Sequence, residues 1–162
     1  MLISAVLLTL MYCLLTLWLW YHWRRIRVFS PKENQRVHTS VSVIIPVRNE
    51  AANITQLLED IDQQYWPDGK LLEASQLEVI VVDDHSEDQT EILVQNFEAK
   101  HVSLKLLKLQ LPEGFAGSHK KLALGQAIAQ ASGEVILTTD GDCRVRPQWV
   151  SSVLLFMQQQ NA

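Results

Sequence analysis

The chain has 162 residues, 48% of them hydrophobic and 20% charged, with a formal net charge of -4. That length suits one domain of ordinary size, and the acidic balance excludes the broad basic footprint of a general nucleic-acid binder. The two cysteines, Cys13 and Cys143, cannot make a disulfide framework or a cysteine–histidine metal centre. Both are expected as free thiols, Cys143 as a small buried side chain rather than a nucleophile.

From Leu2 to Trp23 no residue is charged, and about 20 apolar residues suffice to cross a bilayer as a helix. The run ends in Trp18, Trp20, Tyr21 and Trp23, aromatic residues suited to the headgroup layer, followed by Arg24, Arg25 and Arg27. No basic residue precedes the run and no small-residue cleavage site closes it, so an anchor is expected rather than a removable signal peptide. With the arginines on its C-terminal side, the positive-inside rule places the following domain in the cytoplasm, at a cell membrane that this chain crosses once. Residues 24–40, polar and carrying Pro31, read as a basic juxtamembrane linker.

Beyond the linker, strand and helix patterns alternate. Val41 to Pro46 reads as a buried strand, and Asn49 is placed to cap a helix with apolar Ile54, Leu57, Leu58 and Ile61. Trp66-Pro67-Asp68-Gly69 is a turn, and Leu77 to Val82 a second buried strand. Asp88 and Glu91 have capping-box spacing before a helix using Ile92, Leu93 and Phe97. Val102 to Leu109 predicts a third strand, and Ser118 to Gln130 an alanine-rich helix stopped at Ser132-Gly133. Val135 opens a fourth buried strand, and a last amphipathic helix after Pro147 uses Val150, Val153, Leu154 and Met157. Four strand–helix units without hairpin signals predict an α/β domain over residues 41–162, built on a parallel, doubly wound sheet.

Such a sheet gathers the loops that follow its strands on one edge. Residues 46–50, Asp83-Asp84-His85-Ser86 and Asp140-Gly141-Asp142 should therefore lie together. Crowded carboxylates repel unless a cation or hydrogen-bond donors stand between them. Asp140 and Asp142, one residue apart at a strand end, can share a hard divalent cation while Gly141 admits close backbone approach. Neither a Gly-x-Gly-x-x-Gly turn nor a P-loop is present, so phosphates would have to be held by metal and basic side chains. No third group can be named to orient His85, which reads as a loop histidine rather than a base.

Val43-Ile44-Ile45-Pro46-Val47-Arg48-Asn49-Glu50, Val81-Val82-Asp83-Asp84-His85-Ser86-Glu87-Asp88, Gly117-Ser118-His119-Lys120-Lys121-Leu122-Ala123-Leu124 and Thr139-Asp140-Gly141-Asp142 occur in this order. Together they resemble the N-terminal half of a family 2 glycosyltransferase with the Rossmann-like GT-A fold. The resemblance implies transfer of a sugar from a nucleotide-sugar donor to a lipid, polysaccharide or other acceptor, with inversion. It also implies that Pro46, Arg48 and Glu50 line the nucleoside pocket and that Asp83 or Asp84 contacts uracil or ribose. Lys120 or Lys121 would lie beside the donor, with Asp140 and Asp142 holding Mg²⁺ or Mn²⁺ against the diphosphate. His85 stands where the family frequently has a small residue.

Inverting relatives take the acceptor proton with a carboxylate well beyond the D-x-D, and no Asp or Glu follows Asp142 here. The general base is thus expected beyond Ala162, the chain reading as a fragment or as a truncated product that binds donor without turnover. Two other classes compete: a membrane-anchored scaffold with a nucleotide pocket, and a receiver-type signalling module, whose acidic pair Asp83-Asp84 would have to end the first strand. A membrane tether favours a lipid-linked or surface-polymer acceptor.

Overall fold

The computed structural model describes residues 2–26 and 28–160. Arg27, one arginine of the basic cluster, lies outside the described residues, as do Met1, Asn161 and Ala162. The chain divides into two compact units, residues 1–30 and 31–162.

The first unit is α1, Leu2–Trp23, 22 residues with no side chain buried. At 1.5 Å per residue it is about 33 Å long, sufficient for a hydrocarbon core of about 30 Å. Its two threonines turn back onto the helix: Thr9 Oγ1 donates to the Ala5 carbonyl at 3.0 Å, and Thr16 Oγ1 to those of Tyr12 and Cys13. A helix apolar on every side suits a lipid surrounding.

The second unit is a parallel four-stranded sheet of order β3-β2-β1-β4. The strands are β1 (Val41–Val47), β2 (Leu77–Asp83), β3 (Ser103–Lys108) and β4 (Val135–Thr138); the helices are α2 (Ile54–Asp62), α3 (Thr90–Gln95), α4 (His119–Ile128) and α5 (Trp149–Gln160). Side chains alternate across the strands. Ile44, Ile80 and Val82 pack with Leu109, Ala123 and Ala127, where two alanines let α4 settle close to the sheet. Val43, Ile45, Val79 and Val81 belong to the opposite face, and Ile54, Leu57, Leu58 and Ile61 of α2 are likewise fully or almost fully buried.

Several local expectations are corrected. Asn49 does not cap α2: it adopts φ 57°, α2 begins after Asn53, and the Asn49 side chain accepts the Glu87 amide at 2.8 Å instead. The Asp88–Glu91 capping box does not form, because Asp88 accepts the amides of Thr90 and Ala51 while Glu91 pairs with Lys108. Helix α3 ends at Gln95, before Phe97, and Ile92 is exposed. β4 is only half-buried, since it pairs with β1 alone among the described strands. Met157 is exposed, its expected buried place taken by Leu155 next to Leu154.

Two buried polar side chains fix the connections. Gln64 donates to the carbonyls of Asp60 and Arg146 and accepts the Val150 amide, tying the end of α2 to the start of α5. Near the start of β2, Glu78 accepts Ser42 Oγ at 2.5 Å, Lys105 Nζ at 2.5 Å and the Ser132 amide at 3.0 Å. Ser42 Oγ in turn accepts the Gly133 amide, and a Cβ on Gly133 would stand 2.4 Å from the Ser42 nitrogen. The α4–β4 connection therefore reaches the sheet only because residue 133 has no side chain.

Burial opposes the Glu78 charge, but Lys105, Ser132 and Ser42 outweigh it and bring the carboxyl to about 2 from 4.5. A depressed carboxyl contributes stability that is complete above its unfolded value and is lost as pH falls toward the folded one. Glu78→Gln is expected to cost about 1.5–3 kcal/mol at neutral pH and to flatten the loss of stability between pH 4.5 and about 2. Urea unfolding at several pH values measures both; parallel acid profiles for variant and parent would assign that loss to other carboxylates.

Candidate functional site

The order of strands reverses between β1 and β4, so the loops after these two strands part and leave a crevice at their C-terminal ends. A cleft of about 290 Å³ lies there, lined by Pro46, Val47, Arg48, Glu50, Asp84, Lys120, Ala123, Asp140, Gly141 and Asp142. Three loops and the first turn of α4, separate in sequence, thus meet at one place.

The β1 loop is held from the β2 side. The Asn49 amide donates to Ser86 Oγ at 3.0 Å, the Glu50 amide to Thr90 Oγ1 at 2.8 Å and the Ala51 amide to Asp88 at 3.1 Å. The Asp84 amide donates to the Val47 carbonyl at 2.8 Å, continuing the ladder one residue past the β2 strand. These bonds keep an exposed loop next to an acidic one at fixed spacing.

The D-x-D loop approaches from β4. A Cβ on Gly141 would stand 2.9 Å from both Glu50 Cγ and Val47 Cγ1, so glycine is what lets this turn close against the β1 loop. Beyond it, Arg144 donates to both Asp60 oxygens at 2.5 and 2.8 Å, and the Val145 amide adds a bond at 3.3 Å. This arginine holds the Asp60 carboxyl below its ordinary value and fastens the D-x-D loop to α2.

Two cations enter from α4 and β1. Lys120 Nζ donates to Asp140 Oδ1 at 2.5 Å, and that contact raises the ammonium above the usual lysine value. Asp84 is mostly buried; desolvation opposes its charge, while His119, His85 and the more distant Arg48 lower its pKa. His119 Nδ1 lies 2.9 and 3.0 Å from the two Asp84 oxygens, and His85 Nδ1 is 3.2 Å from one of them. A carboxylate thus stands beside His85, although sequence reasoning could name no orienting group.

Of the residues singled out in the sequence, Pro46, Arg48, Glu50, Asp84, Lys120, Asp140 and Asp142 meet in the cleft, whereas Asp83 and Lys121 do not line it. Asp83 is buried, accepts the Ser86 amide at 3.3 Å and borders a neighbouring cleft with Lys108 and Ser86. Lys121 donates its amide to the Ser118 cap, and its side chain is exposed. Cys143 is exposed, contrary to the burial expected of it, because it sits on the solvent side of the D-x-D turn. His119 as a partner of Asp84 was not foreseen: the two are 35 positions apart, and no local pattern connects them.

Among the described residues no three His, Cys, Asp or Glu side chains form a metal cage. Asp140 and Asp142 are both exposed at the cleft, an all-oxygen pair that fits a hard cation such as Mg²⁺, which is bound by one or two carboxylates and completed by phosphate and water. The receiver alternative fails on topology, since Asp83-Asp84 closes the second strand and not the first.

Known proteins resemble this chain in sequence and in fold. The profile of the glycosyl transferase family 2 matches residues 42–162. A probable glycosyltransferase, YdaM of Bacillus subtilis, is 35% identical over 68% of this chain and 24% of its own length. The crystal structure of Staphylococcus aureus TarS 1-349 in complex with UDP superposes with a TM-score of 0.58 at 31% identity, over 75% of this chain and 33% of that one. The mannosyltransferase PcManGT from Pyrobaculum calidifontis, in complex with GDP-Man and Mn²⁺, gives 0.65 at 28% identity, over 89% of this chain and 39% of that one. The chain spans about a fifth to a third of the length of the first curated relatives it matches. From the strand order, the cleft at its reversal and the match over residues 42–162, the chain belongs to glycosyl transferase family 2.

Proposed function

We propose that residues 41–162 form the donor-binding part of a membrane-anchored glycosyltransferase that takes a nucleotide-sugar and transfers its sugar, with inversion, to a lipid-linked or polysaccharide acceptor. The observation that carries this reading is the convergence of Asp140, Asp142, Lys120 and the β1 loop on one cleft. Relatives bind UDP, UDP-GlcNAc or GDP-Man, and two related structures contain Mn²⁺.

In this reading Pro46, Arg48 and Glu50 line the nucleoside pocket, and the acidic β2 loop, through Asp83 or Asp84, accepts hydrogen bonds from base or ribose. Asp140 and Asp142 hold Mg²⁺ or Mn²⁺, which when bound neutralises charge on the departing diphosphate. Lys120 directs its ammonium at the same diphosphate. Arg144, through Asp60, keeps the D-x-D loop in place while the charge on the ligand changes.

Asp140→Ala and Asp142→Ala are each expected to weaken Mn²⁺-dependent binding of UDP or GDP at least about tenfold, by analogy with disruption of a metal shell. Asp83→Ala should also weaken the free nucleoside. Titration calorimetry of the detergent-solubilised chain, with and without Mn²⁺, measures these effects. Equal loss of nucleoside affinity in all three folded variants would refute the division of roles.

The anchor reading rests on α1, whose 22 residues are long and apolar enough to span a membrane. The arginines that follow are disfavoured for translocation, which places residues 41–162 in the cytoplasm. A fluorescent reporter fused after Ala162 is expected to mature, and a reporter active only outside the cytoplasm to stay silent. The opposite pair of results would overturn the orientation.

A further inference from the structure

His119 and Lys120 are the first two residues of α4, and they are held by carboxylates on two different strands' loops. His119 Nδ1 lies 2.9 and 3.0 Å from the oxygens of Asp84, beyond β2, and Lys120 Nζ lies 2.5 Å from Asp140, beyond β4. Successive helical residues point about 100° apart, so this turn can reach both sides of the crevice that β1 separates. The two bonds differ in setting. Asp84 is 15% exposed and His119 38%, whereas Lys120 and Asp140 are each more than half exposed. A hydrogen bond between partly buried partners is screened less than an exposed ion pair. His119 is therefore the firmer of the two anchors.

We propose that His119 is a positioning residue of the donor cleft: its Nδ1–H, shared between the two oxygens of Asp84, fixes the first turn of α4 at the end of β2 and so sets where Lys120 meets the ligand. This deepens the reading of the cleft as a nucleotide-sugar site and rests on it for its functional consequence. An ionised carboxylate only accepts, so the ring nitrogen facing Asp84 must carry the proton. The ring also meets Phe115, its centroid 5.9 Å away, which sets a second wall against rotation. Ser118 completes the anchor by accepting the Lys121 amide as the helix cap. Without His119 the Asp84 charge would lose its closest donor on α4, and a diphosphate entering the cleft would meet that charge less compensated.

Three readouts test the proposal. In the ¹⁵N spectrum of the chain without nucleotide, His119 is expected to be protonated at Nδ1; a bare Nδ1 would overturn the assignment. Hydrogen exchange of the 119–122 amides is expected to speed up at least about tenfold in His119→Ala, as loss of a hydrogen bond to a charged group implies. His119→Asn, which keeps an N–H near the Nδ1 position, should restore most of the protection. Unchanged exchange in the alanine variant, or equal exchange in both variants, would overturn the proposal. UDP and GDP affinity with Mn²⁺ should fall about tenfold in His119→Ala and recover in His119→Asn, with thermal melts showing both variants folded. Failure of the parent chain to bind either nucleotide would refute the donor reading and with it the ligand-positioning role. Normal binding by a His119→Ala chain with fast exchange would leave the donor reading standing and remove the positioning role alone.

Discussion

The architecture depends on β1 being hydrogen-bonded on both sides. Val41 to Val47 pairs along its whole length with β2, and Val41 to Ile44 pairs with β4. The chain can bring a strand to the second side of β1 only by turning back from the β3 edge, and α4 makes that return over β1 and β2. The reversal leaves β1's loop between two others that diverge from it. A ligand cleft at that position follows from topology before any side chain is chosen.

Charge is then placed around this gap in a way that limits its cost. Acidic side chains from three loops share a small space, and three of them are held by described partners: Asp84 by the two histidines, Asp140 by the lysine, Glu50 by the Asn53 side-chain amide at 2.8 Å. The adjoining loops are tied by backbone amides and by the Arg144–Asp60 pair. The network ties the loops together through the protein's own groups, the kind of preorganisation that lowers the cost of binding a charged ligand.

The strands were legible because continuous runs such as Val79-Ile80-Val81-Val82 suit burial on both faces of a parallel sheet. The convergence of the three loops followed from the same alternation, and α1 from its uninterrupted apolar composition. Helix starts were less legible, because Asn49 and Asp88 have the chemistry of caps and spend it on bonds between loops. Edge effects were invisible as well: β4 has the composition of a buried strand, and whether a strand is covered depends on neighbours that its own residues do not name. The His119–Asp84 bond lay out of reach for a related reason, since a contact between separate loops has no period. Within Asp83-Asp84, alternation along β2 turns one carboxylate toward the cleft and the other toward its neighbour, but the pair alone did not say which.

Gly141 carries a different kind of information. Its contribution is the volume it leaves to Glu50 and Val47, so the turn is specified by a missing atom rather than by a functional group. Replacing either flanking aspartate removes charge and leaves the loop free to keep its path, whereas enlarging residue 141 keeps both charges and displaces them together. A survey that scores positions by the chemistry of their side chains would pass over it. The same loss of activity would then be attributed to a group, although its origin is a distance.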